Sequence, residues 1–303
     1  MYEILTRAGC FIAIILMGYL LRRVGFFTKE DFHVLSKIVI KITLTAAIIT
    51  SFAGRQLEYA MLILTLMGFC FGVVLMITAY LINRRRGKDE QAFAVLNTAG
   101  CNIGNFVLPF AQNFLGPVGV MAVSLFDVGN SFICLGGAFG VASMVKEGNK
   151  KFTFKPILRA LSKSVPLITY IIMTLLAALH INLPKPVVEF ASIISSANAF
   201  MAMLMIGVGF QLSSDKAQMG AVLRILLPRY GIGLALAVVS YLLLPFPLEY
   251  RQALAILFLS PIASAAPAFT AEMKGDYGLS SAVNSFSILI SIVLIVLSLM
   301  IIL

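Results

Sequence analysis

Tryptophan is absent from this chain, histidine occurs twice and cysteine four times, and only 12% of its 303 residues are charged. Each scarcity closes off a class of function. His33 and His180 both lie near the ends of apolar stretches, and neither belongs to an H-E-x-x-H pair, so a zinc protease or a Ser-His hydrolase within the membrane is not expected. Cys10, Cys70, Cys101 and Cys134 fall inside apolar stretches without a C-x-x-C pair. They read as small packing residues rather than metal ligands or disulfide partners, and no cofactor is implied. No Walker A pattern occurs and no soluble stretch is long enough to hold one, so this chain is not expected to hydrolyse ATP.

What the chain has in excess is hydrocarbon. Apolar residues make up 60% of it and the mean hydropathy is +0.99, more than a soluble core of this size hides. Ten apolar segments are expected, at about 4–22, 33–53, 58–83, 91–114, 117–145, 158–180, 187–212, 217–244, 251–272 and 279–302. The reading is an all-α polytopic membrane protein. The first segment carries Glu3 before Arg7 and ends in a basic pair, unlike a cleavable signal, and is taken as the first span.

The net charge of +10 would suggest nucleic acid in a soluble domain, but here it sits in short loops and reports topology. The loops after segments 1, 3, 5, 7 and 9 hold Arg22, Arg23 and Lys29, then Arg84, Arg85, Arg86 and Lys88, then Lys146, Lys150, Lys151 and Lys155, then Lys216, then Lys274. The other loops hold only Arg55, Lys185 and Arg251. The basic loops are therefore expected in the cytoplasm and both termini outside, in the plasma or inner membrane. The loop KEGNKKFTFKP divides the chain into a first five-helix repeat (1–148), a linker (149–157) and a second five-helix repeat (158–303). Five is odd, so a shared fold requires the second half to be inverted, which is a transporter architecture. AVLNTAGCNIGNFVLPF in segment 4 is echoed by AILFLSPIASAAPAF in segment 9, and Ala122-Val123-Ser124 by Ala282-Val283-Asn284.

The stretch NTAGCNIGNFVLPF, residues 97–110, is out of place in lipid. Pro109 removes an amide donor and Gly100 and Gly104 ease backbone opening, so the helix is expected to break between residues 102 and 109, with Asn97, Asn102 and Asn105 capping the exposed ends. Such a break survives only where it is buried in protein or lines a wet cavity. The plain alternative is a kinked packing helix. Segment 9 supplies a second break, where Pro261 and Pro267 are flanked by Ser260 and Ser264. Matched interruptions in two halves point to a midplane substrate site, and half-helix N-termini there suit a carboxylate or another anion.

Asp127 is the most deeply placed carboxylate, and a charge at that depth is a functional candidate. Two readings stand: a structural Asp bonded to Asn130, or a proton-coupling group. Lys41 either partners it or snorkels to the interface. Arg224 and Arg229 are read as snorkelling or contacting headgroups, Glu272 as ending its helix at the cytoplasmic surface, and Asn284, Ser285 and Ser287 as cavity candidates.

The order of elements resembles the auxin efflux carrier family of permeases, which includes the plant PIN-type exporters and compact bacterial organic acid permeases. The resemblance rests on Gly18-Tyr19-Leu20-Leu21-Arg22-Arg23 closing the first span, Asn102 seven residues before Pro109, Ile206-Gly207-Val208-Gly209 with Leu212 in the seventh, and Tyr277-Gly278 entering the last. It implies two inverted five-helix repeats, with segments 4 and 9 crossing at their prolines in a mobile transport domain beside a scaffold. Asn102 and Pro109 match one crossover helix, and Pro267 with Pro261 the other. Where relatives often carry Leu-Pro in the second span, this chain has Leu44-Thr45, which puts the kink of that helix in question.

The expected function is secondary active transport of a small organic anion, a carboxylate or auxin-like acid, by alternating access. The alternative is a sodium- or proton-coupled symporter with a bile-acid-transporter-like fold, and a channel or receptor comes after it. An enzyme is not expected. The expected partners are the anion and the lipid bilayer, with a homodimer left open and nucleic acid excluded.

Overall fold

A computed structural model describes residues 2–55, 61–148, 152–211 and 218–303. Lys150, Lys151, Lys216 and Leu212, named above, lie outside the described residues. Among those described, the chain is helical throughout and forms no strand. Helices satisfy their own backbone amides within one segment, which is what a chain this apolar requires in lipid.

The order is α1 (Tyr2–Arg23), α2 (Lys29–Ile38), a π-helical turn (Val39–Thr43), α3 (Leu44–Phe52), α4 (Leu62–Ile82) and α5 (Lys88–Ala99). A second π turn (Ile103–Val107) leads into α6 (Leu108–Phe114), followed by α7 (Gly116–Phe132), a third π turn (Ile133–Gly137) and α8 (Ala138–Glu147). Beyond the central loop come α9 (Phe154–Leu161), α10 (Val165–Ala178), α11 (Lys185–Ser196), α12 (Asn198–Gly209), α13 (Met219–Leu243), α14 (Leu248–Leu257), α15 (Ala266–Glu272) and α16 (Tyr277–Ile302). The linker expected at 149–157 is shorter than that, because α9 already begins at Phe154. The second span has a distortion without a proline, the π turn immediately before Leu44.

Among the described residues, seven helical stretches are long and apolar enough to cross a membrane, and α9 with α10, bent by 72° at a short break, makes an eighth if counted as one span. Ten such spans were expected. The difference lies in the fourth and ninth segments, which are each split into two short helices and so fall below spanning length. Large apolar side chains such as Leu66, Ile171, Leu175, Leu242 and Ile301 are exposed on the outer faces, which fits a multi-pass membrane protein. Cys10 and Cys70 are exposed too, so they are not the packing residues anticipated; Cys101 is buried.

α1 lies along α12, and α2 with α3 packs on α10, α11 and α12. α4, α5, α7 and α8 form a second group that meets α13, α14, α15 and α16. Close approach is set by glycine. A side chain on Gly207 would run into the Ile15 carbonyl, and one on Gly68 into that of Phe126, so neither pair of helices tolerates a Cβ at its crossing point. A short polar seam joins α6 to the first group through Gln112. Thr43 Oγ1 donates to Asn198 Oδ1 at 2.9 Å, Asn198 Nδ2 donates to Gln112 Oε1 at 2.9 Å, and Gln112 Nε2 donates to Ser195 Oγ at 3.3 Å.

Candidate functional site

Both interruptions occur where the residue types demand them. α5 ends at Gly100, whose backbone is extended (φ −79°, ψ 154°), and Asn102 (φ −84°, ψ 77°) is also off the helix. The break thus lies seven to nine residues before Pro109, at the start of the stretch where it was expected, and Pro109 is the second residue of α6. The π turn before it, in which Leu108 N–H bonds Ile103 O, runs straight on into α6, and this widened turn is what accommodates the proline ring. Pro267 occupies the same kind of position in α15, and Pro261 lies in the extended stretch between α14 and α15.

The two extended stretches cross and pair. Asn102 N–H donates to Pro261 O at 2.9 Å and Ala263 N–H donates to Gly100 O at 3.1 Å, so that Cys101 and Ile262 face each other in an antiparallel bridge. Residues 161 positions apart in the chain thereby satisfy four backbone groups that would otherwise be bare in hydrocarbon.

The remaining edges of the pair are held from both sides. Asn130 of α7 presents its amide edge-on to Cys101: Oδ1 accepts from Cys101 N–H at 3.0 Å and Nδ2 donates to Cys101 O at 2.9 Å. On α16, Ser287 Oγ accepts from Ile262 N–H at 3.1 Å, and Asn284 Nδ2 donates to Ile262 O and Ala263 O at 3.0 and 3.2 Å. In hydrogen bonding it is therefore Asn130, not Ser124, that corresponds to Asn284. Asn284 was anticipated as lining a cavity, and it does so as well as bracing the crossover.

Arg229 is the residue that sequence reasoning misplaced. It is 1% exposed, the largest fully buried side chain of those described, and it does not reach an interface. Its Nη1 donates to Thr98 O in the last turn of α5, and its Nη2 donates to Ser260 O at 3.0 Å and Pro261 O at 3.1 Å and lies 3.4 Å from Cys101 Sγ. The available signal was depth: ten residues into α13 at about 1.5 Å each is about 15 Å, the middle of a bilayer core about 30 Å thick. Arg224, by contrast, stays near the surface, ion-paired to Glu90 at 3.2 Å.

A cavity of about 400 Å³ opens beside the crossover. Asn102, Ser264, Pro267 and Asn284 line it, with Ser281 and Ser285 from α16, apolar Met205, Ile206 and Ile288, and Arg22 and His33. Its size suits a small organic molecule. Arg22 is fixed there by donating to Val208 O at 2.8 Å, which also caps the C-terminal end of α12. Asp276 caps α16, accepting from Leu279 N–H at 2.8 Å, and so anchors the helix that carries Ser281, Asn284 and Ser285 of the cavity wall.

Other anticipated residues lie elsewhere. Asn97 is fully buried and caps nothing: Nδ2 donates to Phe93 O and Thr270 Oγ1, both at 3.0 Å, and Oδ1 accepts from Ser280 Oγ. It ties α5 to α15 and α16. Asn102 makes no side-chain cap bond, and Asn105 is buried with its Oδ1 unpartnered. Ser260 is buried with its Oγ likewise unpartnered. Asp127 accepts from Asn130 Nδ2 at 2.9 Å and from Tyr170 of α10 at 3.3 Å. It lies against the first turn after the break, where a methyl on Gly104 would sit 3.4 Å from Oδ2. Lys41 is exposed on the first π turn and is not among the partners of Asp127. Glu272 ends α15 at an exposed position. Compared with known proteins, the chain is matched by no protein-family model and by no curated protein.

Proposed function

We propose that this chain is a secondary active transporter of a small organic anion, working by alternating access, of the kind found in the auxin efflux carrier family. One observation carries the reading: two interrupted helices, one in each half of the chain, cross through backbone hydrogen bonds beside a polar cavity. Counting each interrupted helix as one crossing adds two to the eight spans above and makes ten. The two halves then run in opposite senses, with the antiparallel bridge where inverted repeats would meet. Asn130 and Asn284, which brace the two breaks from the helix that follows each, support the same repeat. The chemistry of the cavity favours an anion. Arg22 stands at its wall, and Asn102 begins a helical stretch whose first amides carry partial positive charge. By the basic-loop count the cavity opens toward the cytoplasm, with both termini on the other side of the cell membrane.

The deciding experiment is counterflow in proteoliposomes with indole-3-acetate, malate and malonate, with and without a pH gradient. Saturable counterflow of one of these is the expected result. A flux that rises linearly without saturation would indicate a channel, and an absence of any flux would overturn the reading.

A further inference from the structure

Among the described residues, no carboxylate lies within ion-pair distance of Arg229. A buried guanidinium without a counter-ion is costly in lipid, so its surroundings must supply negative potential in another form. They do so through the peptide carbonyls on which it converges: Thr98 O at the end of α5, and Ser260 O and Pro261 O just past the end of α14. Each helix C-terminus carries about half a negative elementary charge, so two of them together offset about one positive charge. The fit is geometric as well. A planar fork reaches carbonyls on both sides of the crossing, which a single point donor does not span.

We infer that Arg229 is a positioning residue: it clamps the two crossing stretches together and cancels the negative ends of α5 and α14, so that the crossover moves as one piece and the wall of the cavity keeps its positive character. Three features distinguish this role from ordinary packing. Arg229 is held by both crossing stretches at once. It contacts the thiol of Cys101, which stands inside the bridge. It is also not among the residues lining the cavity, so it acts through the backbone and not on a bound molecule.

Cys101 provides a native reporter, being 4% exposed and enclosed by the pairing. In a background carrying Cys10→Ala, Cys70→Ala and Cys134→Ser, the rate of N-ethylmaleimide labelling at Cys101 is measured in folded protein reconstituted in lipid. For Arg229→Met the rate is expected to rise by at least about tenfold, equivalent to ~1.4 kcal/mol of loosened pairing. Arg229→Lys keeps the charge but not the fork, and is expected to give a smaller rise that still exceeds wild type. If Arg229→Met fails to fold, Arg229→Lys alone decides. Labelling at the wild-type rate in the folded variant overturns the proposal. The transport arm rests on the function proposed above. For whichever carboxylate the wild type moves, Arg229→Lys is expected to lower the maximal rate and leave KM unchanged, and a raised KM with an unchanged maximal rate would overturn a positioning role. If the wild type moves none of them, the transport reading falls while the labelling arm still decides the role of Arg229.

Discussion

Replacing Asn130 by alanine tests the crossover at its most heavily bonded point. The side chain is 2% exposed and makes four hydrogen bonds, two to the backbone of Cys101 and one to Asp127 at 2.9 to 3.0 Å, and a weaker one accepted from the Cys134 thiol at 3.3 Å. Alanine leaves the buried Cys101 N–H bare and its C=O with only the weak Cys134 thiol bond at 3.5 Å, and a buried orphan group costs about 1–3 kcal/mol. Two such groups give about 2–6 kcal/mol. Side-chain bonds within membranes average only about 0.6 kcal/mol, because the unfolded state in lipid also finds partners. The three shorter ones set a floor near ~2 kcal/mol, so the low end of the range is the expected value. At about 2 °C per kcal/mol the thermal midpoint should fall by at least about 4 °C. The assay is the fraction of reconstituted protein remaining monodisperse after heating. Ser287→Ala is the internal standard, since it frees only the Ile262 N–H and is expected to cost about 1 kcal/mol. If Asn130→Ala melts no lower than Ser287→Ala, the crossover is not held in the way described.

Asn102→Ala should weaken carboxylate transport with little loss of folded protein, because its backbone bond to Pro261 survives while its side chain leaves the cavity wall. A lost hydrogen bond to a charged ligand corresponds to about 10- to 100-fold in half-saturation. Asp127→Asn can keep an acceptor for Asn130 or Tyr170 and so should fold, but if this residue carries the coupling proton, transport loses its response to a pH gradient; an unchanged response removes Asp127 from the mechanism. Gly207→Ala should destabilise the α1–α12 pair by about 1–3 kcal/mol through its clash with the Ile15 carbonyl. Gly9→Ala, which meets open space on α1, should leave the melting curve in place.

Much of this arrangement was legible from residue types. Glycine and asparagine between long apolar runs marked the first break, and two prolines in a run of small residues marked the second, because each removes or frees backbone groups that lipid does not satisfy. Position was less legible than existence. The break was expected between residues 102 and 109, and the chain opens at the front edge of that stretch, at Gly100 to Asn102, because the π turn beyond it accommodates Pro109 within the helix. The asparagines could not be sorted by sequence. Asn97, Asn102 and Asn105 look alike on paper, but one ties three helices together, one faces the cavity and one is buried with an idle oxygen. Which neighbour each meets depends on contacts across the whole chain. Arg229 was misread for a similar reason: a lone arginine in an apolar helix ordinarily reaches for headgroups, and its carbonyl partners come from two segments about 30 and 130 residues away. The ten expected spans differ from the seven or eight long apolar helices found where the fourth and ninth segments are cut, since each half is too short to cross a bilayer alone.

The seam of Thr43, Asn198, Gln112 and Ser195 carries its own consequence. None of these four groups bears a charge, and each hydroxyl or amide bonds water about as well as it bonds its present neighbour. Prising the surfaces apart therefore releases no unpaired ion and strands no donor once solvent follows. If α6 parts from the first group during transport, as the proposed function requires, the seam bonds broken are the two made by Gln112, so the seam itself opposes that movement little.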